Sequence, residues 1–102
     1  MIESNENRRS LMASLMNWRA YERLLGTENA GKRIIPVGGR FYSPQAVSDA
    51  LGVLDAVKRD SVLRFHADGV SQAKLALERG VCKSQAWYDV DTGLRAVLSA
   101  LE

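Results

Sequence analysis

Polar and cationic side chains cluster within residues 69–101, GVSQAKLALERGVCKSQAWYDVDTGLRAVLSAL, and their chemistry suits the recognition of nucleic acid. Gln85 can pair bidentately with adenine, and Lys83 can contact guanine. Other basic side chains can hold backbone phosphates and so set the register of a protein on a duplex. We therefore predict that double-stranded DNA is bound by a set of seven residues: Lys74, Arg79, Lys83, Ser84, Gln85, Tyr88 and Arg95.

Two helices joined by a turn are the elements that must position these side chains. Ser71 can cap a helix over 72–79, and Gly80 suits a turn residue with positive φ. We place the next cap at Ser84, before a last helix that runs to about Leu101. Four residues would then read base edges from the start of the second helix: Lys83, Ser84, Gln85 and Tyr88. Phosphate contacts are expected from Lys74 and Arg79.

The pattern Gln72-x-x-x-Ala76-x-x-x-Gly80-Val81-Cys82-Lys83-Ser84 resembles the helix-turn-helix of repressors. The wider frame of residues 59–101 has Arg59-x-x-x-Leu63 before the motif and a long Leu-rich helix after it. This frame is similar to σ-factor region 4 and to short phage late-gene regulators, both antiterminator Q-like and ArpU/RinA-like. The resemblance implies a transcription regulator that contacts promoter-region DNA and RNA polymerase. A Q-like protein would let polymerase pass terminators, and an ArpU/RinA-like protein would activate initiation.

Several residues depart from the pattern of these families. Cys82 stands where a hydroxyl residue is common, and Arg79 stands where an apolar residue is usual. Gly93 interrupts the last helix at a cost of about 1 kcal/mol relative to Ala. Asp89 and Asp91 place two negative charges on the expected recognition helix, where they would oppose phosphates.

Two other functions therefore stay open. The two aspartates and a net charge of only +2 favour a protein-binding inhibitor or adaptor of RNA polymerase that reads no bases. A DNA-binding phage packaging protein, similar to a small terminase and assembled as a ring, is the other alternative. We expect no enzyme, because no catalytic constellation is visible. We expect no cofactor and no metal, since Cys82 and His66 are the lone residues of their types and zinc takes about four ligands.

The excess positive charge lies in residues 1–42, where seven basic residues stand against four acidic ones. Residues 43–102 carry seven basic and eight acidic residues. A basic segment beside a reading helix can hold phosphates, and it can equally be an ordinary solvated surface or a contact for polymerase. The candidates for backbone or polymerase contact are Arg19, Arg23, Lys32, Arg33 and Arg40.

The rest of the chain predicts an all-α fold, a three- or four-helix bundle with a small β-hairpin in its N-terminal half. We expect an N-terminal helix with a basic Gly-rich arm or hairpin over 1–42 and a helix-turn-helix domain over 43–102. The first helix should span 7–25, and Gly38-Gly39 should join strands at 34–37 and 40–42. Ser43-Pro44 should start a helix that ends near Lys58, and Asp60 should cap a further helix over 61–67.

The composition fits one domain in a reducing compartment. The chain has 102 residues, of which 46% are hydrophobic and one is cysteine. Because no apolar run approaches about 20 residues and the N-terminus is polar, we expect a cytoplasmic protein without a membrane partner. A monomer and an oligomer are both compatible with the sequence. Trp18 and Tyr21 should be core residues, His66 should lie at the surface or its boundary, and one ring of Trp87-Tyr88 should pack.

Overall fold

A computed structural model describes residues 5–101. Within that range the chain is mostly helical and carries one two-stranded antiparallel sheet, so the predicted fold class is confirmed. The α-helices are α1 (Asn5–Leu15), α2 (Trp18–Leu24), α3 (Pro44–Gly52), α4 (Ala56–Val62), α5 (Gln72–Arg79) and α6 (Lys83–Ala100). The strands are β1 (Ile35–Val37) and β2 (Arg40–Tyr42). A 3-10 helix (Glu28–Lys32) precedes β1, and a π-helical turn (Leu63–Ala67) follows α4.

The N-terminal helix is divided, where the sequence predicted a single helix over 7–25. α1 ends at Leu15 and α2 begins at Trp18, with Asn17 in the non-helical N-cap position. Leu11, Leu15 and Trp18 are all buried and keep their helical spacing across the break. The apolar periodicity therefore does not reveal the interruption.

The hairpin is confirmed, with Ile35 opposite Tyr42 and Val37 opposite Arg40. Gly38 and Gly39 have φ of +58° and +82°, the positive values that a type I′ turn requires at both central residues. An isolated two-stranded hairpin is barely stable in water, so this hairpin depends on its contacts with α1 for stability. The Ser14 hydroxyl donates to the Pro36 carbonyl at 2.6 Å, which fixes β1 against α1.

The helix break that follows α3 falls earlier in the chain than predicted. The Ser43 hydroxyl accepts from the Ala46 N–H at 3.1 Å, so the predicted start of α3 is confirmed. α3 ends at Gly52, and the Asp55 carboxylate then caps α4 by accepting from the Lys58 N–H at 2.8 Å. The predictions of a helix to Lys58 and of a cap at Asp60 were wrong. Apolar residues continue at helical spacing through the break, so only the cap marks it.

Buried apolar side chains form two clusters. The small core lies between α5 and α6 and contains four residues: Leu75, Ala76, Ala86 and Val90. The main core draws on residues from both sides of position 42: Leu11, Leu15, Trp18, Ile35, Val37, Val47, Ala50, Leu51, Leu54, Val62, Leu63, Leu94, Val97, Leu98 and Leu101. α6 contributes side chains to both clusters, so this one helix connects the small core with the main core.

Gly93 lies where α6 crosses α4. A Cβ atom at this position would stand 2.6 Å from Cγ2 of Val62 and 3.4 Å from the carbonyl oxygen of Lys58. At such a short carbon–carbon distance either the Val62 side chain or the two helices would have to shift. The intrinsic cost of glycine in a helix is thus offset here by close packing, which the sequence pattern did not predict.

His66 is buried, although the sequence placed it at the surface or its boundary. It lies on the π-helical turn, and its ring meets the Phe65 ring edge-on at 5.0 Å. Burial, with a smaller contribution from the positive charge of Arg8, lowers the pKa of His66 to about 4. The imidazole is therefore neutral at pH 7. Trp18 is confirmed as a core residue, and Tyr21 packs partly buried against the same core.

Candidate nucleic-acid interface

α5 and α6 form a helix-turn-helix unit joined by Gly80, Val81 and Cys82. Gly80 adopts the predicted left-handed conformation, with φ of +67°. Its N–H donates to the Leu77 carbonyl at 3.3 Å, and the Val81 N–H donates to the Ala76 carbonyl at 3.0 Å. This pair of bonds is a Schellman motif, which ends α5 and reverses the chain toward α6.

The predicted cap of α5 is confirmed, and small residues lie where α5 and α6 meet. The Ser71 hydroxyl accepts from the Lys74 N–H at 3.1 Å. Ala76 and Ala86 are buried against each other's helices in the small core, where Val81 also packs. Small side chains at this contact let α5 and α6 approach closely.

α6 begins one residue earlier than predicted, and Ser84 is not its cap. Cys82 occupies the N-cap position with extended backbone angles, and its side chain makes no capping bond. Ser84 is instead the second residue of the helix. The Gln72 side chain donates to the Lys83 carbonyl at 3.0 Å, which ties the starts of α5 and α6 together.

The solvent-facing side of α6 collects most of the predicted DNA-binding residues. Ser84, Gln85, Tyr88 and Arg95 are exposed, and they lie opposite the side chains that enter the two cores. Lys83 is exposed at the helix start, and Lys74 is exposed on α5. Among residues 5–101, neither of these two lysine ammonium groups has an ion-pair partner.

Arg79 does not lie on this exposed face, contrary to the prediction that it holds phosphates. Its guanidinium donates to Asp89 Oδ2 at 2.6 Å and to the Ser61 hydroxyl at 2.9 Å. Asp89 is only 6% exposed, so the pair is a mostly buried link between α4, α5 and α6. The signal for this link was Arg79 itself, a charged residue at a position where the helix-turn-helix motif usually has an apolar one.

Both aspartates of α6 are paired with arginines, so neither is an uncompensated negative charge. Asp91 forms ion pairs with Arg8 of α1 and, at 3.4 Å, with Arg95. Arg8 is a residue that sequence reasoning missed as a contributor to this surface. No local signal could have shown it, because the two partners are 83 positions apart.

Among the N-terminal candidates, Arg19 is occupied within the fold. Its guanidinium binds both oxygens of the Asp68 carboxylate, at 2.9 and 3.0 Å, and also contacts Glu22 at 3.1 Å. The hydrogen bonds that Arg19 donates to Asp68 raise the pKa of Arg19, and the same contact lowers the pKa of Asp68. The other four candidates are exposed and have no ion pair within residues 5–101: Arg23, Lys32, Arg33 and Arg40.

Aromatic and apolar side chains border the α5–α6 surface. Trp87 packs edge-on against Phe65, with ring centroids 5.5 Å apart, whereas Tyr88 is 59% exposed. The predicted packing of one ring holds for Trp87, although that ring is also 40% exposed. Leu77 projects from α5 and is 83% exposed.

Other kinds of site are not evident in the described part of the chain. No group of three or more His, Cys, Asp or Glu side chains within residues 5–101 is placed to hold a metal ion. An open cleft of about 330 Å³ lies at the far end of α6, beside Tyr42, Asp49 and Leu101. None of the described helices combines the length and apolar character needed to span a membrane.

Comparison with known proteins returned no match to a protein-family model, a curated protein or a solved structure.

Proposed function

We propose that the protein binds double-stranded DNA through its helix-turn-helix unit, with the N-terminal half of α6 in the major groove. The observation that supports this most strongly is the exposed polar face of α6, whose neighbouring aspartates are neutralised by arginines. An α-helix is about 10–12 Å across with its side chains, and the major groove is about 12 Å wide. The face thus has the chemistry and the size for base readout.

The side chains take different roles in this proposal. Lys83, Ser84, Gln85 and Tyr88 contact base edges, because they stand at the start of the helix. Lys74 and Arg95 hold phosphates on either side of them. Arg79 contributes no contact, since its guanidinium is engaged with Asp89.

Gln85 requires a small rearrangement before it can read a base. Its side-chain nitrogen donates to Asp89 Oδ1 at 3.2 Å, and a bidentate pair with adenine needs that donor. Release of Gln85 leaves Asp89 bound to Arg79, so the buried carboxylate keeps its main partner. The exchange therefore costs one long hydrogen bond.

The biological role that we propose is transcription regulation in the cytoplasm, together with RNA polymerase. Its support is the resemblance of residues 59–101 to σ-factor region 4 and to phage late-gene regulators. Q-like proteins are antiterminators, and ArpU/RinA-like proteins activate late genes. Both activities place a DNA-bound protein beside polymerase at a promoter.

Fluorescence anisotropy on a random-sequence duplex, with a salt series, tests DNA binding. We expect affinity to fall steeply with salt, as counterions are released. On a duplex selected for tight binding by the wild-type protein, substituting Lys83→Ala with Gln85→Ala should weaken binding at least tenfold, since each good base contact contributes about 1–3 kcal/mol. The matched control is Lys58→Ala with Gln45→Ala, which removes the same two side-chain types from positions outside α5 and α6.

Two results would count against the proposal. The first is no binding by the wild-type protein at low salt. The second is equal loss of affinity in the Lys83/Gln85 variant and in its control, which would mean that the reading helix has no special part in binding.

A polymerase adaptor that reads no bases is the second candidate, and the exposure of Leu77 favours it. An apolar side chain that projects from α5 suits a protein partner better than a phosphate backbone. Co-purification with RNA polymerase in the absence of DNA, and its loss on Leu77→Ser, would support this function. Retention of polymerase by the Leu77→Ser variant would exclude that contact.

A further inference from the structure

The turn of the β-hairpin packs on α1, and α1 in turn contacts α6. The Gly38 N–H donates to the Ser10 hydroxyl of α1 at 2.9 Å, and a Cβ on Gly38 would overlap the side chain of Asn7. The next residue, Arg8, forms an ion pair with Asp91 of α6. One turn of α1 therefore separates the hairpin turn from the proposed reading helix.

Arg40 stands at this end of the hairpin and on its inner face. Arg40 is directly opposite Val37, and opposite residues of an antiparallel pair place their side chains on the same face. Val37 is 5% exposed in the main core, so this face is the one that meets the helices. Arg40 itself is exposed, beyond the edge of the core. Phe41 lies on the outer face.

The distance along α6 from Lys83 to Asp91 is close to the width of the DNA major groove. Asp91 follows Lys83 by eight residues, which is about 12 Å at about 1.5 Å per residue. The major groove is about 12 Å wide, so a phosphate strand borders it at about that distance from the bases read by the helix start. No uncompensated carboxylate faces this strand from α6, because Asp91 lies between Arg8 and Arg95.

We propose that Arg40, presented by the hairpin turn over α1, makes a second contact with the same duplex, at the phosphate strand that borders the groove occupied by α6. The partner is the DNA backbone, and the contact fixes the register of the protein without reading bases. This inference rests on the proposed DNA binding by α6. Among the N-terminal candidates, Arg40 is the one next to the turn that packs on α1 beside Arg8.

The test is a salt series with anisotropy on one random duplex, using wild type, Arg40→Gln and Arg40→Lys. Arg23→Gln is the matched control, since Arg23 is an equally exposed arginine on α2. We expect Arg40→Gln to weaken binding about three- to tenfold on every sequence. The slope of log affinity against log salt should fall by about one unit, because one phosphate contact is lost. Arg40→Lys should retain most of the slope, and Arg23→Gln should retain all of it.

The outcomes separate the two proposals. No DNA binding by the wild-type protein would overturn the proposed function and this inference together. Wild-type binding that depends on Lys83 and Gln85, with Arg40→Gln indistinguishable from Arg23→Gln, would overturn this inference alone. Hydroxyl-radical footprinting gives an independent readout, since Arg40→Gln should lose protection on one flank of the site and keep the centre. An unchanged footprint would also overturn the inference.

Discussion

The two halves of α6 differ in what surrounds them. The C-terminal half supplies Leu94, Val97, Leu98 and Leu101 to the main core, where α1, α3, α4 and the hairpin also pack. The buried apolar side chains of the N-terminal half, Ala86 and Val90, pack in the small core, and its polar face is turned to solvent. Burial of the C-terminal half anchors the helix in the main core. The N-terminal half can therefore present side chains without being enclosed. One helix thus serves as anchor at one end and as candidate reader at the other.

The largest expected effect is on the anchor half. Leu98→Ala should lower the free energy of unfolding by about 2–5 kcal/mol, because Leu98 is fully buried and its truncation leaves a cavity. The control is Leu77→Ala, which removes the same atoms from an exposed site and should change stability by less than about 0.5 kcal/mol. Urea unfolding followed by circular dichroism measures both. Equal effects would contradict the assignment of the main core.

The link between the two ends is the buried pair of Arg79 and Asp89. Arg79→Met should cost about 2–4 kcal/mol of unfolding free energy, since it leaves a buried carboxylate without its cation. Replacing both residues, with Arg79→Met and Asp89→Leu, should recover most of that loss. A double variant as unstable as the single one would show that the charge pairing is not what stabilises this contact.

Lowering the pH should lower the free energy of unfolding, because His66 is buried in the folded protein. The unfolded chain binds a proton at His66 near pH 6.5, whereas the folded chain does so only near pH 4. The unfolded state thus binds more protons between these values, and stability falls as pH drops through this window, by about 2 kcal/mol. Asp68, whose pKa is lowered by Arg19, adds a loss in the same direction at lower pH.

The measurement for this effect is the midpoint of thermal unfolding from pH 7 to pH 4.5. Wild type should lose stability over that range, and His66→Leu should lose much less. A His66→Leu variant that follows the wild-type pH profile would contradict the contribution of the buried imidazole.

The smallest effect concerns the contact between α4 and α6. Gly93→Ala should destabilise the protein by about 1–2 kcal/mol, because the new methyl group meets Val62. Gly52→Ala is the control, since a Cβ there meets nothing within 4 Å and should stabilise slightly by limiting the unfolded chain. A Gly93→Ala protein with raised stability would refute the close approach of the two helices.

Local chemistry made several elements predictable. Ser43 and Ser71 were identified as caps because their hydroxyls satisfy free amides within three residues. Gly80 and the Gly38-Gly39 turn were identified because their backbones need positive φ. In each case the decisive contact lies within a few positions of the residue that makes it.

The errors arose where a distant contact decides the structure. Arg79 was assigned to phosphates because its exposure was assumed, and its partner Asp89 is on another helix. Ser84 was preferred as a cap over Cys82, although the Schellman turn leaves only three residues between α5 and α6. His66 was placed near the surface because its burial depends on α1 and the π-helical turn, which a short apolar pattern does not specify.

A titration followed by two-dimensional amide NMR tests the central claim most directly. A short random duplex added to the isotopically labelled protein should shift the amide signals of Lys83, Gln85 and Tyr88 most strongly. The shifts should shrink at higher salt, and the signals of the cleft residues Tyr42, Asp49 and Val53 should stay in place. No shifts at low salt, or shifts confined to that cleft, would contradict the account of α6 as the DNA-contacting helix.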